Sequence, residues 1–222
     1  MSWWEKESLI KFHHPSTWII SGASGTGKST LVRSVIENNA VIFTEKPSTI
    51  YYFYNSWQPL FDEINQSVTN VSFVEGPPSE GDISDAVSKG KTSLWVIDDL
   101  GDHAKDSSFI LKLFCVLSHH LKISVILITH NIFEKGKCMR TISLNAHYII
   151  LFKNRRDGNV VRTLARQIHP DNFRYLVEAS EKATKDPFGY LIIDLNPHSD
   201  QKYHLRKGFL PGQDITVYLP IK

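Results

Sequence analysis

The chain has 222 residues, of which 41% are apolar, 11% aromatic and 22% charged, a composition that excludes disordered and collagen-like classes. No apolar run approaches the roughly 20 residues of a membrane-crossing helix, and two cysteines, Cys115 and Cys138, exclude a disulfide scaffold or a four-thiolate zinc site and imply a reducing interior, cytosol or nucleus. The net charge of +2 is unevenly placed: residues 1–110 carry 8 Lys and Arg against 14 Asp and Glu, residues 111–222 carry 17 against 9, and such separation suits a polyanionic partner for the basic part.

In chain order, the first residues, MSWWEKESLIKFHH, are charged throughout and lack the apolar stretch of a secretory signal. Enrichment in β-branched and aromatic residues predicts strands at Trp18–Ser21, Thr49–Tyr54, Val71–Val74, Ser93–Ile97, Ile123–Thr129, His147–Phe152, Gly189–Asp194 and Ile215–Leu219. Helices are expected between them at Lys28–Glu37, Trp57–Ile64, Ile83–Ser88, Ser107–His120 and Asn172–Thr184. The runs Leu94–Ile97 and Ile123–Ile128 are continuously apolar. Strands buried on both faces read that way, so the expected fold is α/β, with a mainly parallel central sheet flanked by helices. The length suits one domain, residues 1–222, with a C-terminal elaboration from about residue 160.

Between the first strand and the first helix stands Gly22-Ala23-Ser24-Gly25-Thr26-Gly27-Lys28-Ser29-Thr30, which matches the G-x-x-x-x-G-K-[ST] phosphate-binding loop. Glycines let the backbone wrap a phosphate with its N–H groups, and the following helix aims its positive end at the same anion. In this pattern Lys28 reaches the β- and γ-phosphates of ATP and the Ser29 hydroxyl binds Mg²⁺. The run SLWVIDDL then ends an apolar strand in Asp98 and Asp99, the edge where open α/β sheets bind ligands. Asp98 is the candidate magnesium ligand, and Asp99 the candidate for polarising the attacking water. A second apolar strand, ISVILITHN, ends in a polar trio, of which His130 is the candidate γ-phosphate contact, with Thr129 or Asn131 as alternatives. His119-His120 reads as imidazoles at a helix C-terminus, not as a metal site.

With these residues in hand, the chain resembles the viral genome-packaging ATPases of the FtsK–HerA superfamily, P-loop NTPases of the additional-strand, DNA-translocase type. The likeness is greatest to those of Polinton/Maverick elements and adintovirus-like viruses, with poxvirus ATPases more distant. It is carried by Ile50–Ile64, Ser93–Leu100, Ser118–Asp157, Leu164–Pro170 and Phe188–Pro197, nearly the whole length. The resemblance implies an ATP-driven homo-oligomeric ring that moves double-stranded DNA into a procapsid, bound to no membrane and working in the host nucleus, the cytoplasm or the virion. It also implies an arginine reaching a neighbouring subunit's γ-phosphate, for which Arg140 and Arg156 are the choices. Two departures stand out: the family usually has Gln where this chain has His130, and Asp-Glu where it has Asp98-Asp99. Lys135, Lys137 and Lys153 flank strand ends and are the expected DNA contacts. A P-loop kinase and a nucleotide-dependent scaffold are the alternative readings.

Overall fold

The computed structural model describes residues 10–87, 92–98, 107–134, 136–156 and 158–220. Its strands are β1 (Thr17–Ser21), β2 (Thr49–Tyr54), β3 (Val71–Glu75), β4 (Ser93–Asp98), β5 (Ile123–Thr129), β6 (Tyr148–Phe152), β7 (Tyr190–Asp194), β8 (Leu205–Lys207) and β9 (Thr216–Tyr218). They form a single sheet in the order β3-β2-β4-β5-β1-β6-β7-β8-β9. The first six run parallel, and β7, β8 and β9 are added antiparallel beside β6. β5 is the additional strand, inserted between β1 and β4, with Trp18 opposite Ile126 and Trp95 opposite Val125. The α/β fold expected from the apolar runs is the fold observed.

Helices α1 (Lys28–Glu37), α2 (Asn39–Ile42), α3 (Pro59–Ser67), α4 (Glu80–Val87), α6 (Met139–Leu144), α7 (Asn159–Ile168) and α8 (Phe173–Ala183) are regular. α5, residues 108–120, is α-helical at Ser108–Lys112 and Ser118–His120 with a π-helical stretch, Leu113–Leu117, between them. Strands β1, β4, β5, β6 and β7 are buried from end to end, yet their side chains still alternate between two cores. Trp18, Ile20, Leu94, Val96, Ile126 and Ile128 pack with α1 (Leu31, Val32, Val35, Ile36) and α3 (Phe61, Ile64) on one face. Ile19, Trp95, Ile97, Val125 and Leu127 pack with α5, α6, α7 and α8 on the other. Continuous apolar sequence and period-two packing are thus two views of one arrangement.

Among the described residues, four of these helices and strands were not anticipated from sequence. α2 and α6 are too short to show a helical period. α7 buries Val160, Leu164 and Ala165 and turns Arg162 and Arg166 outward, but the basic sequence around it masks that stripe. β8 reads as a polar loop, Leu-Arg-Lys, and becomes a strand because Arg206 turns inward. Its Nη1 donates to Asp194 Oδ2 on β7 at 2.7 Å and to the Tyr203 carbonyl at 2.8 Å, with the guanidinium 5.1 Å from the centre of the Phe12 ring. Both partners of the pair are buried.

At the sheet end opposite the glycine loop, His147 Nδ1 accepts from the Thr17 backbone N–H at 3.1 Å. Thr17 Oγ1 lies 2.8 Å from the same nitrogen. Burial, followed by the neighbouring imidazoles of His119 and His198, pushes the His147 pKa down to about 4 from an ordinary 6.5. His14, whose Nδ1 lies 2.6 Å from Ser124 Oγ, is also lowered, chiefly by burial. Between these values the unfolded chain binds more protons than the folded one, so stability rises with pH. Stability is therefore expected to be complete above about pH 6.5 and to fall as the pH drops toward about 4, read as a lower urea midpoint at about pH 5 than at about pH 7.5. A His147→Gln variant should flatten that dependence.

Candidate functional site

β1 lies between β5 and β6, and the loop that leaves it must pass its neighbour β6 closely. A Cβ on Gly22 would lie 2.6 Å from that of Phe152, closer than any side chain is tolerated, so only glycine serves here. The Gly22 N–H donates to the Thr129 carbonyl at 3.3 Å, tying the start of the loop to the end of β5. Gly25 and Gly27 adopt φ of +74° and +98°, the turn in which successive N–H groups converge on an anion. Thr26 Oγ1 donates to the Ala23 carbonyl at 2.7 Å and braces the loop from within. Gly27 caps α1, whose first bond runs from Leu31 N–H to the Gly27 carbonyl at 2.9 Å, so the helix's positive end faces the loop.

Lys28 is buried, and its Nζ donates to the carbonyls of Gly22 at 2.6 Å and Ala23 at 3.0 Å. The ammonium is therefore folded back under the loop. Asp98 ends β4 on the same strand face as Leu94 and Val96, the face that packs on α1. That parity delivers its carboxylate to α1, where Ser29 Oγ approaches Asp98 Oδ2 at 3.5 Å. A hydroxyl and a carboxylate at this spacing are the hard oxygen donors that Mg²⁺ takes. Thr30 is exposed at the first turn of α1.

A cleft of about 170 Å³ gathers Ser24, Gly25, Lys28, Ser29, Asp98, Thr129 and His130. The structure thus brings His130, from the end of β5, to the loop. Its two neighbours are engaged locally: Thr129 Oγ1 donates to Glu134 Oε2 at 3.0 Å, and Asn131 Oδ1 accepts from the Phe133 N–H at 2.9 Å. Both arginines are exposed: Arg156 lines a larger cleft of about 480 Å³ beside this chain's own Ala23, Gly25 and Thr26, and Arg140 lies on α6. Lys137 and Lys153 are exposed. Asp99 and Lys135 lie outside the described residues.

Two residues of the site escaped the sequence. Tyr52, on β2, donates its hydroxyl to Asp98 Oδ2 at 2.6 Å. Burial first, and the Asp98 carboxylate second, hold its pKa well above the ordinary phenol value, so it remains a donor. Gln58 enters the smaller cleft from the segment after β2. The available signal was topological: in a parallel sheet, whatever follows a strand's C-terminal end belongs to the same edge.

No family model matches the sequence, and no curated protein matches it. Solved structures do. Genome packaging NTPase B204 from Sulfolobus turreted icosahedral virus 2, in complex with sulfate, matches with a TM-score of 0.55 and 16% identity, over 94% of this chain and 98% of that one. The same protein in complex with ATPγS matches with a TM-score of 0.53 and 19% identity over the same shares. At these identities the likeness establishes the fold, that of the P-loop NTPases.

The Tyr52–Asp98 bond is buried and one partner is a carboxylate, which places its worth at about 1.5–3 kcal/mol. Tyr52→Phe is expected to lower unfolding free energy by an amount in that range at neutral pH. A double-mutant cycle with Asp98→Asn, read by urea denaturation, should return a coupling of matching size.

Proposed function

We propose that this chain is an ATP-hydrolysing motor of the FtsK–HerA superfamily that drives double-stranded DNA into a procapsid, of the kind carried by Polinton/Maverick elements and adintovirus-like viruses. The observation that carries this reading is the convergence of Lys28, Ser29, Asp98 and His130 on one cleft at the mouth of the glycine loop. The fold it shares over nearly its whole length with a genome packaging NTPase supports the same reading, as do the basic residues of its second half.

In this reading residues Gly22 to Thr30 hold the triphosphate, with loop N–H groups and Lys28 neutralising its charge. Ser29 and Asp98 would hold Mg²⁺, which would supply charge neutralisation to the bound triphosphate. Tyr52 orients Asp98 through the bond to Oδ2. Asp99 polarises the attacking water, and His130 senses the γ-phosphate in place of the family's Gln. Arg140, exposed on α6, is favoured for reaching a neighbouring subunit over Arg156, which lines the cleft beside its own loop. A ring of identical subunits surrounds the duplex, with Lys135, Lys137 and Lys153 toward its phosphates. The capsid protein is the second partner, and the place of work is the host nucleus, the cytoplasm or the virion.

Lys28→Ala should abolish ATP turnover and weaken nucleotide binding, and wild-type turnover in that variant would refute the assignment. Asp99→Asn should separate the two steps, keeping ATP bound while slowing hydrolysis. ATP turnover measured with and without duplex DNA tests the motor itself. Stimulation independent of base sequence, declining steeply as salt rises, is expected. Phosphate transfer to a small acceptor would instead indicate a kinase, and turnover indifferent to DNA would remove the translocation reading.

A further inference from the structure

We propose that Phe188 is the stacking platform for the nucleobase, so that the cleft between the segments after β6 and before β7 is the nucleoside half of the site. The inference rests on the nucleotide reading above and extends it to the part of the substrate that the phosphate loop does not touch.

The argument begins with polarity. The cleft of Asp98 and His130 lies on one side of the loop arch and includes Ser24 and Gly25. The γ-phosphate belongs there, where the acidic and strand-end groups converge. The nucleoside must therefore leave by the other side, past Ala23 and Thr26. That side opens on the larger cleft of about 480 Å³, a volume in the ordinary range for small-molecule sites.

The topology builds this cleft. β6 and β7 are antiparallel, with Phe152 paired to Tyr190, so the segment leaving β6 and the segment entering β7 stand side by side at the edge that carries the loop. Phe188 comes from the second segment and is 69% exposed. Its backbone has φ of +61°, a conformation that a bulky aromatic residue avoids and that clusters at ligand clamps. The turn is closed tightly: Gly189 N–H donates to the Asp186 carbonyl at 3.1 Å, and a Cβ on Gly189 would lie 2.5 Å from the Ala183 carbonyl. Thr184 Oγ1 donates to the Ser180 carbonyl at 2.8 Å, anchoring the start of the turn on α8.

The ring is placed against the phosphate loop itself. Phe188 Cδ1 would lie 3.2 Å from a Cβ at Gly27, so glycine there admits both the phosphate turn and the aromatic ring. The same cleft is lined by Arg155 and Arg156. An exposed aromatic ring and arginines lining one cleft beside a triphosphate loop are the chemistry that holds a flat, polarisable base. Nothing in the protein core uses Phe188, since its ring is mostly in solvent, and a strained exposed aromatic at this place is accounted for by a bound base.

The test is calorimetric titration of the full chain with Mg·ATP and with Mg·tripolyphosphate, which carries the phosphates without the nucleoside. Wild type should bind ATP more tightly than tripolyphosphate. Phe188→Ala and Phe188→Gly should each lose about tenfold or more in ATP affinity, the scale of one base–aromatic stack, and leave tripolyphosphate affinity unchanged. Phe188→Trp should retain ATP. Glycine accepts the +61° backbone without strain, so the melting temperature of Phe188→Gly should hold or rise, which separates lost binding from lost folding. Unchanged ATP affinity in Phe188→Gly, or equal wild-type affinity for ATP and tripolyphosphate, would overturn the base platform and leave the phosphate site standing. Failure of wild type to bind either ligand would overturn the nucleotide reading and this proposal with it.

Discussion

The whole phosphate side of the molecule depends on the absence of a side chain at Gly22. β1 is paired on both sides, to β5 and to β6, so its backbone groups are committed up to Ser21 and the chain has to leave the sheet at the next residue. It leaves by passing directly against Phe152, with its N–H still held by Thr129. Lys28 takes its bearings from the same residue, because its ammonium donates to the Gly22 carbonyl. The seat of the loop, the direction of the lysine and the packing at the end of β6 are therefore one constraint. A β-carbon at that position would shift all three together.

A second constraint is parity. In a strand covered on both faces, each residue is assigned to one helix layer or the other, and Asp98 falls on the α1 side with Val96 and Leu94. Tyr52 is on that side too, one strand over, where it pairs in register with Val96 and reaches along to Asp98. The carboxylate is thus clasped between a phenol from β2 and a hydroxyl from α1, and its orientation is set before any ligand arrives. Preorganised groups of this kind need no rearrangement when charge develops near them.

How much of this was readable in the chain follows from the range of each interaction. The glycine loop, Lys28, Ser29 and Asp98 could be read from the sequence, because their chemistry is written in contiguous residues and in a strand that ends in acid. The parallel strands could be read because burial on both faces leaves unbroken apolar runs such as ISVILIT. Tyr52 could not, since nothing near it in the chain hints that a carboxylate 46 residues away will meet its hydroxyl. α7 was obscured because Arg162 and Arg166 dominate a segment whose buried stripe is only Val160, Leu164 and Ala165. β8 was unreadable for the opposite reason: a charged residue, Arg206, is the one that points into the core.

That inward arginine governs how this edge of the sheet can change over evolutionary time. Arg206 and Asp194 are nearly inaccessible to water, and the Asp194 carboxylate also accepts from the Asn196 N–H through Oδ1 at 3.1 Å. Removing either charge alone strands the other in a low-dielectric interior at a cost of about 3–5 kcal/mol, whereas exchanging both for apolar groups of similar volume is often neutral or better. Single steps along that path are barred while the double step is open. The two positions are therefore bound to drift as a pair, and relatives that lack the arginine should lack the aspartate as well.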